Sequence, residues 1–177
     1  MPTAAKRAVS PSGKRRLRIR ARGAAGSRTA HPGEGGPLAP AAAHALDLLG
    51  VARPRRGSDS RAIVRRGLPF TAVQALSKQL GLSTQDLGDV LGIPRRTVAR
   101  RRIARQLTPA ESDRLYRFAH VVALAQHVLG DMAKARAWLL APNRALGGES
   151  PVALLDTDVG TRQVEDVLQR INYGIMS

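Results

Sequence analysis

Ser83-Thr-Gln-Asp-Leu-Gly-Asp-Val-Leu-Gly-Ile-Pro-Arg-Arg-Thr-Val-Ala-Arg-Arg-Arg-Ile103 divides at its breakers into a short amphipathic helix, a Gly-Ile-Pro turn and a second helix carrying five arginines. Ser83 suits the cap of the first helix, and Asp86 then faces the orphan amides of its first turn. Leu87, Val90 and Leu91 form the apolar side, and Gly92 stops it. Pro94 opens the second helix at a position where its missing N–H costs nothing. Two short helices joined by a tight turn, the second crowded with cations, have the form of a helix-turn-helix. The first helix braces the second, which enters the major groove of DNA.

The flanking chain keeps a helical period. Thr71 is placed to cap a helix whose apolar positions are Val73, Leu76 and Leu80, with Gly81 ending it. Thr108-Pro-Ala-Glu111 reads as a capping box with proline in the first turn. After it, Leu115, Phe118, Ala119, Val122, Ala125 and Leu129 form one stripe, and Val121, Leu124 and Val128 form another. A helix apolar on two sides must be covered on both, so this one joins two layers or meets a second subunit. Asp131 caps a further helix bearing Met132, Ala135, Trp138 and Leu139. Residues 141–148 form a loop, Ser150-Pro151 starts a short helix, and a last helix buries Val164, Val167, Leu168 and Ile171 before Gly174. No segment alternates with period two, so the fold class is all-α.

Towards the N-terminus the pattern fades. Residues 1 to 40 are of low complexity and hold too little apolar surface to offset the entropy of ordering them. Ala41 to Val51 can form a helix through Leu46, Leu48 and Leu49, interrupted by Arg53-Pro-Arg-Arg-Gly-Ser-Asp59. This segment reads as a linker with at most a loosely docked helix. The expected organisation is a disordered basic tail and linker over 1–60, a helix-turn-helix domain with a long connecting helix over 61–129, and a small helical domain over 130–177.

Charge follows the same division. The formal net charge is +16: residues 1–66 hold 15 Lys/Arg against 3 Asp/Glu, residues 67–129 hold 9 against 4, and residues 130–177 hold 5 against 6. The first two parts suit a polyanion, since cations near phosphates release condensed counterions. The last part suits a different partner or none. The tail reads as an arm along DNA or as inert; its acid-free first 33 residues also match a transit peptide in composition, a reading set aside for the tail.

Enzyme chemistry finds no support. The absence of cysteine removes disulfides, thiolate nucleophiles and cysteine-ligated zinc. His120 and His127 stand seven apart, not the four of a helical metal pair, and Glu165-Asp166 are adjacent and point to different faces. The glycine-rich segments lack the Gly-Lys-Ser/Thr of a phosphate loop. The expectation is therefore no catalytic residue, no metal and no cofactor, and a cytoplasmic protein of a bacterium with no membrane span.

For DNA, the candidates are Arg95, Arg96, Thr97, Arg100 and Arg101, with Val98 as the anchor to the bracing helix. Arg96 and Arg100 share a face at i, i+4 spacing. An arginine bidentate to guanine discriminates by roughly 1–3 kcal/mol, and phosphate contacts add affinity without sequence information. A solvated basic face, or one meeting an acidic protein, stands beside this reading.

Ala137-Trp-Leu-Leu-Ala-Pro-Asn-Arg-Ala-Leu-Gly-Gly-Glu-Ser-Pro-Val-Ala-Leu-Leu155, followed by the terminal helix ending Arg170-Ile-Asn-Tyr-Gly174, resembles the toxin-binding domain of the Xre/MbcA/ParS antitoxins. Gly67-Leu-Pro69, Ser83 to Leu91-Gly-Ile-Pro94 and Arg96-Thr-Val98 with Arg100-Arg101 resemble the Xre-like helix-turn-helix of the same family. Together the likeness spans about Arg61 to Ser177. It implies an antitoxin of a type II toxin–antitoxin pair, whose C-terminal domain occludes a cognate toxin, usually a RES-domain enzyme that degrades NAD. It also implies autoregulation through promoter DNA, as a homodimer within a hetero-oligomeric complex. The candidate toxin contacts are Arg144 and Leu146 beside the Pro142-Asn143 and Gly147-Gly148 scaffold, and Tyr173, Ile175 and Met176 at the terminal segment. Trp138 reads as a core anchor under the loop or as a direct contact. The alternative is a stand-alone transcriptional regulator or partition-type DNA-binding protein whose C-terminal domain only oligomerises.

Overall fold

The computed structural model describes residues 39–52 and 60–174, with side chains in the first stretch from His44 onward. The expected disordered tail lies outside the described residues. Within them the helices are α1 (Ala39–Leu48), α2 (Ser60–Arg66), α3 (Phe70–Leu80), α4 (Thr84–Val90), α5 (Arg95–Ala104), α6 (Pro109–Leu129), α7 (Met132–Leu140), α8 (Pro151–Leu154) and α9 (Asp158–Asn172), with a 3-10 turn at Arg144–Leu146. The described part of the chain is all-α, a helix-turn-helix followed by a small helical C-terminal region.

α6 is the axis on which the rest is built. Thr108 accepts the Glu111 N–H at 3.3 Å while the Glu111 carboxylate accepts the Thr108 N–H at 2.8 Å, so the capping box is complete. Gly130, at φ 94, ends the helix with its N–H on the Gln126 carbonyl. Both apolar stripes are used: Leu115, Phe118, Ala119, Val121, Val122, Leu124 and Ala125 are buried. α1 and α2 pack on α6, and so do α7 and α9. Its length thus carries two layers, as its double stripe requires.

One expectation needs correction here. The segment holding α1 was expected to be a linker with at most loose docking. Instead Ala45, Leu46 and Leu49 are at most 2 % exposed and α1 lies against α6 and α3. Each leucine so buried stabilises the fold by roughly 1.5–3 kcal/mol. That suffices to fix a short, alanine-rich helix whose own sequence looks weak.

α3, α4 and α5 form a unit whose two ends are tied together. The Phe70 N–H donates to the Arg105 carbonyl at 3.0 Å and the Leu107 N–H to the Leu68 carbonyl at 2.9 Å, around the isolated bridge of Pro69 with Gln106. For this reason α3 begins at Phe70 with Pro69 in the cap position, not at Thr71 as its side chain suggested. The first free amide is taken by the bridge, so no side-chain cap is needed. Pro94 likewise sits at the cap of α5, one residue before the position expected. Ser112 joins this unit to α6: buried, it accepts the Leu68 N–H at 2.8 Å and donates to the Thr108 carbonyl at 2.7 Å.

In the C-terminal part, Asp131 caps α7 through the Lys134 N–H and Thr157 caps α9 through the Gly160 N–H. Val164, Val167 and Leu168 of α9 are buried, as their spacing predicts, with Ile171 half-buried. Gly160 is buried where α9 passes α8, and a Cβ there would overlap the Leu154 carbonyl.

Candidate nucleic-acid interface and C-terminal partner site

The packing of α4 against α5 decides which arginines face outward. Val98 is 3 % exposed and sits over Gly88 of α4, so close that a Cβ on Gly88 would lie 2.6 Å from a Val98 methyl. The turn between them is held by the Ile93 N–H on the Gly88 carbonyl at 2.8 Å. Arg114 of α6 reaches the Leu91 and Gly92 carbonyls at 3.4 Å. With Val98 turned inward, α5 presents the opposite stripe to solvent.

The five arginines therefore divide by geometry. Arg101 is drawn back to α6, its Nε donating to both oxygens of Glu111 at 2.7 and 3.0 Å. Arg102 donates to the Thr84 hydroxyl at 2.9 Å, and its guanidinium lies 5.8 Å from the centroid of the Phe70 ring. Arg95 pairs with Asp89 at 3.1 Å in an exposed contact. Arg96 and Arg100 are exposed and make no hydrogen bond or ion pair among the described residues. Thr97 is half-buried near the helix start. Of the expected DNA-facing set, Arg96 and Arg100 share one exposed face, and Arg101 serves as a brace between helices. Identical side chains hid this division in the sequence; the spare acceptor capacity of Glu111 was the one available signal.

At the far end, Asn143 organises the loop after α7. Its side-chain oxygen accepts the Ala145 N–H at 2.9 Å, its carbonyl accepts from Leu146 and Gly148, and its N–H donates to the Glu149 carbonyl. Gly147 and Gly148 adopt φ 73 and 89, a region that favours glycine, with open space around both. Trp138 is half-buried and packs on the core, in keeping with an anchor under the loop. The loop and α9 enclose a groove of about 380 Å³ lined in part by Leu146, Leu154, Val167 and Arg170. Arg144 is exposed, and Tyr173, at the end of α9, is 62 % exposed. The structure thus places Leu146 in a groove and Tyr173 at the end of the helix that walls it. Ile175 and Met176 lie outside the described residues. Sequence reasoning missed Leu154 and Arg170 as groove residues, since only the fold brings α8 and α9 to the loop.

A second, polar groove of about 570 Å³ runs between α6 and α9. There Arg117 pairs with Asp113 and Asp158, and His120 Nδ1 lies 3.5 Å from Glu165. The contacts to Asp158 and Glu165 tie α9 to α6. Among the described residues no cluster of three His, Cys, Asp or Glu could hold a metal ion, and no helix is long and apolar enough to cross a membrane.

Comparison with known proteins follows the same architecture. Residues 59–120 match the antitoxin Xre-like helix-turn-helix domain, and residues 124–174 match the antitoxin Xre/MbcA/ParS C-terminal toxin-binding domain. The two spans meet inside α6. A protein named Antitoxin Xre from Pseudomonas putida is 45% identical over 84 residues, covering 46% of this chain and 52% of its own length. Another, from Yersinia enterocolitica, is 31% identical over 116 residues, covering 64% of this chain and 78% of that protein. A third, from Photorhabdus laumondii, is 34% identical over 123 residues, covering 68% and 83%. The chain spans about half the length of the first relative and over three quarters of the other two.

Proposed function

The chain belongs to the Xre antitoxin family, with an Xre-like helix-turn-helix and an Xre/MbcA/ParS toxin-binding domain, and from this we propose that it neutralises a cognate toxin by occlusion and represses its own operon. The observation that carries the proposal is the joining, through α6, of two different surfaces. One is a helix face whose two outward guanidinium groups have no partner among the described residues; the other is a loop-and-helix groove in a region of near-balanced charge. A polyanion suits the first and a protein suits the second.

The toxin, on this reading, is a RES-domain enzyme that degrades NAD. It meets Arg144, Leu146 and Tyr173, together with Ile175 and Met176. Neutralisation is a stoichiometric binding event, so the antitoxin contributes no chemistry of its own. On the operator, Arg96 and Arg100 supply the guanidinium contacts and Arg95 and Thr97 flank them. Two-fold pairing of the chain matches a palindromic site.

Co-expression of the full chain with the toxin gene of its own operon tests the proposal. The expected result is restored growth and a stable complex by native mass spectrometry. Growth restored without any complex overturns occlusion. A chain that regulates its promoter but captures no toxin returns the reading to that of a lone regulator.

A further inference from the structure

Ile103 is the most exposed large apolar side chain among the described residues, at 85 %. It stands near the end of α5, seven residues after Arg96 and three after Arg100, so the three share one stripe of the helix. Ala99 lies on the same stripe and is exposed too. Val98, on the other side, is buried against α4. The outward face of α5 is therefore built as two cations alternating with two apolar groups.

A face made only for phosphates needs no methyl groups, and a face made for a protein core would not carry two unneutralised guanidinium groups. The other three arginines of α5 all have intramolecular partners, so the bareness of Arg96 and Arg100 among the described residues is selective. A ligand that is anionic and yet offers apolar contacts at the depth of its base edges is duplex DNA. There the C5-methyl of thymine is the apolar group exposed in the major groove. Ala99 and Ile103 stand about 6 Å apart along the helix axis, near the rise of two base pairs.

We infer that Ile103, with Ala99 beside it, reads thymine methyl groups in the major groove, next to the bases or phosphates contacted by Arg96 and Arg100. The inference rests on the DNA-binding reading and adds to it: the operator half-site holds a thymine whose methyl group, not only its hydrogen-bonding edge, is recognised. Removing one such methyl forfeits burial equivalent to about a fourfold change in affinity.

The test uses the full-length chain and duplexes that it selects from a random pool, each then remade with uracil in place of one thymine at a time. The wild type is expected to bind one uracil duplex about fourfold more weakly. Ile103→Ala is expected to bind the thymine duplex about as weakly and to be indifferent to that exchange. Ile103→Val keeps most of the discrimination. If no uracil exchange affects the wild type, or if Ile103→Ala still distinguishes thymine from uracil, the inference is overturned and DNA binding stands. If the wild type selects no duplex at all, both fall. A changed oligomeric mass for Ile103→Ala with thymine discrimination intact places the side chain between copies of the chain, which overturns it as well.

Discussion

Arg101 of α5 and Glu111 of α6 share a contact in which one guanidinium nitrogen donates to both carboxylate oxygens, at 2.7 and 3.0 Å. The same carboxylate accepts the Thr108 N–H, so a single side chain caps α6 and holds α5 in place. Its side chain is 12 % exposed and that of Arg101 19 %, so little water competes for either.

Glu111→Ala is expected to lower stability by about 2 kcal/mol, the combined loss of a cap and a charge-assisted contact. Differential scanning calorimetry would register this as a drop of roughly 5 °C or more. Arg101→Ala should also lower the midpoint, whereas Arg96→Ala should leave it within about 1 °C, as expected at an exposed site.

Acid should expose the same contact. Burial pushes the Glu111 carboxyl upward, but the hydrogen bonds from Arg101 and Thr108 outweigh it and hold its pKa below the ordinary 4.5. A depressed carboxyl stabilises fully above its unfolded value, and that stability is lost as pH falls through the folded one. The melting temperature should therefore decline below about pH 4.5. Glu111→Gln should flatten part of that decline. An identical acid profile in the variant would falsify the assignment. Asp86 and Asp131 are held low by their own cap bonds and act in the same direction, so some decline remains.

Arg96→Ala combined with Arg100→Ala is expected to abolish specific retention of promoter DNA while leaving toxin capture intact. Affinity of the wild type should fall steeply with salt, and the loss of each phosphate-contacting arginine should reduce the slope of log affinity against log salt by about 1. Gel-shift titrations at several salt concentrations decide this. Unchanged binding by the double variant would remove both residues from the interface.

Gly160→Ala should be costly despite being the smallest possible enlargement. The added methyl meets the Leu154 carbonyl, which is backbone and cannot swing aside. A loss of about 2 kcal/mol is expected, with weaker toxin capture as α8 and α9 separate. Chemical denaturation with and without the toxin separates the two effects.

Ser77→Ala should go the other way. The Ser77 hydroxyl is buried in α3 and has no hydrogen-bond partner among the described residues. Replacing it with a methyl removes an uncompensated polar group, for a gain of about 1 kcal/mol measured by urea denaturation.

Much of the fold was legible because its signals are local. Ser83, Thr108 and Asp131 announce their helices through caps, and the stripes of α6 follow directly from residue spacing. The helical character of α1 was legible from its leucines but its firm docking was not, although the second stripe of α6 left a face that some element had to cover. The arginines of α5 were legible as a group and not one by one, because their roles depend on Asp89, Thr84 and Glu111, each on a neighbouring element. Gly160 gave no sign at all: its constraint is a close approach to α8, which no pattern within α9 encodes.

The continuity of α6 through both layers has a consequence for how such a protein is turned over. A protease that draws out the terminal helices strips the cover from one flank of that shaft, and the layer on the other flank loses its backing. Under the proposed function, inhibition and repression would then lapse in a single event, and a cell that degrades this molecule would free the poison and reopen its transcription together.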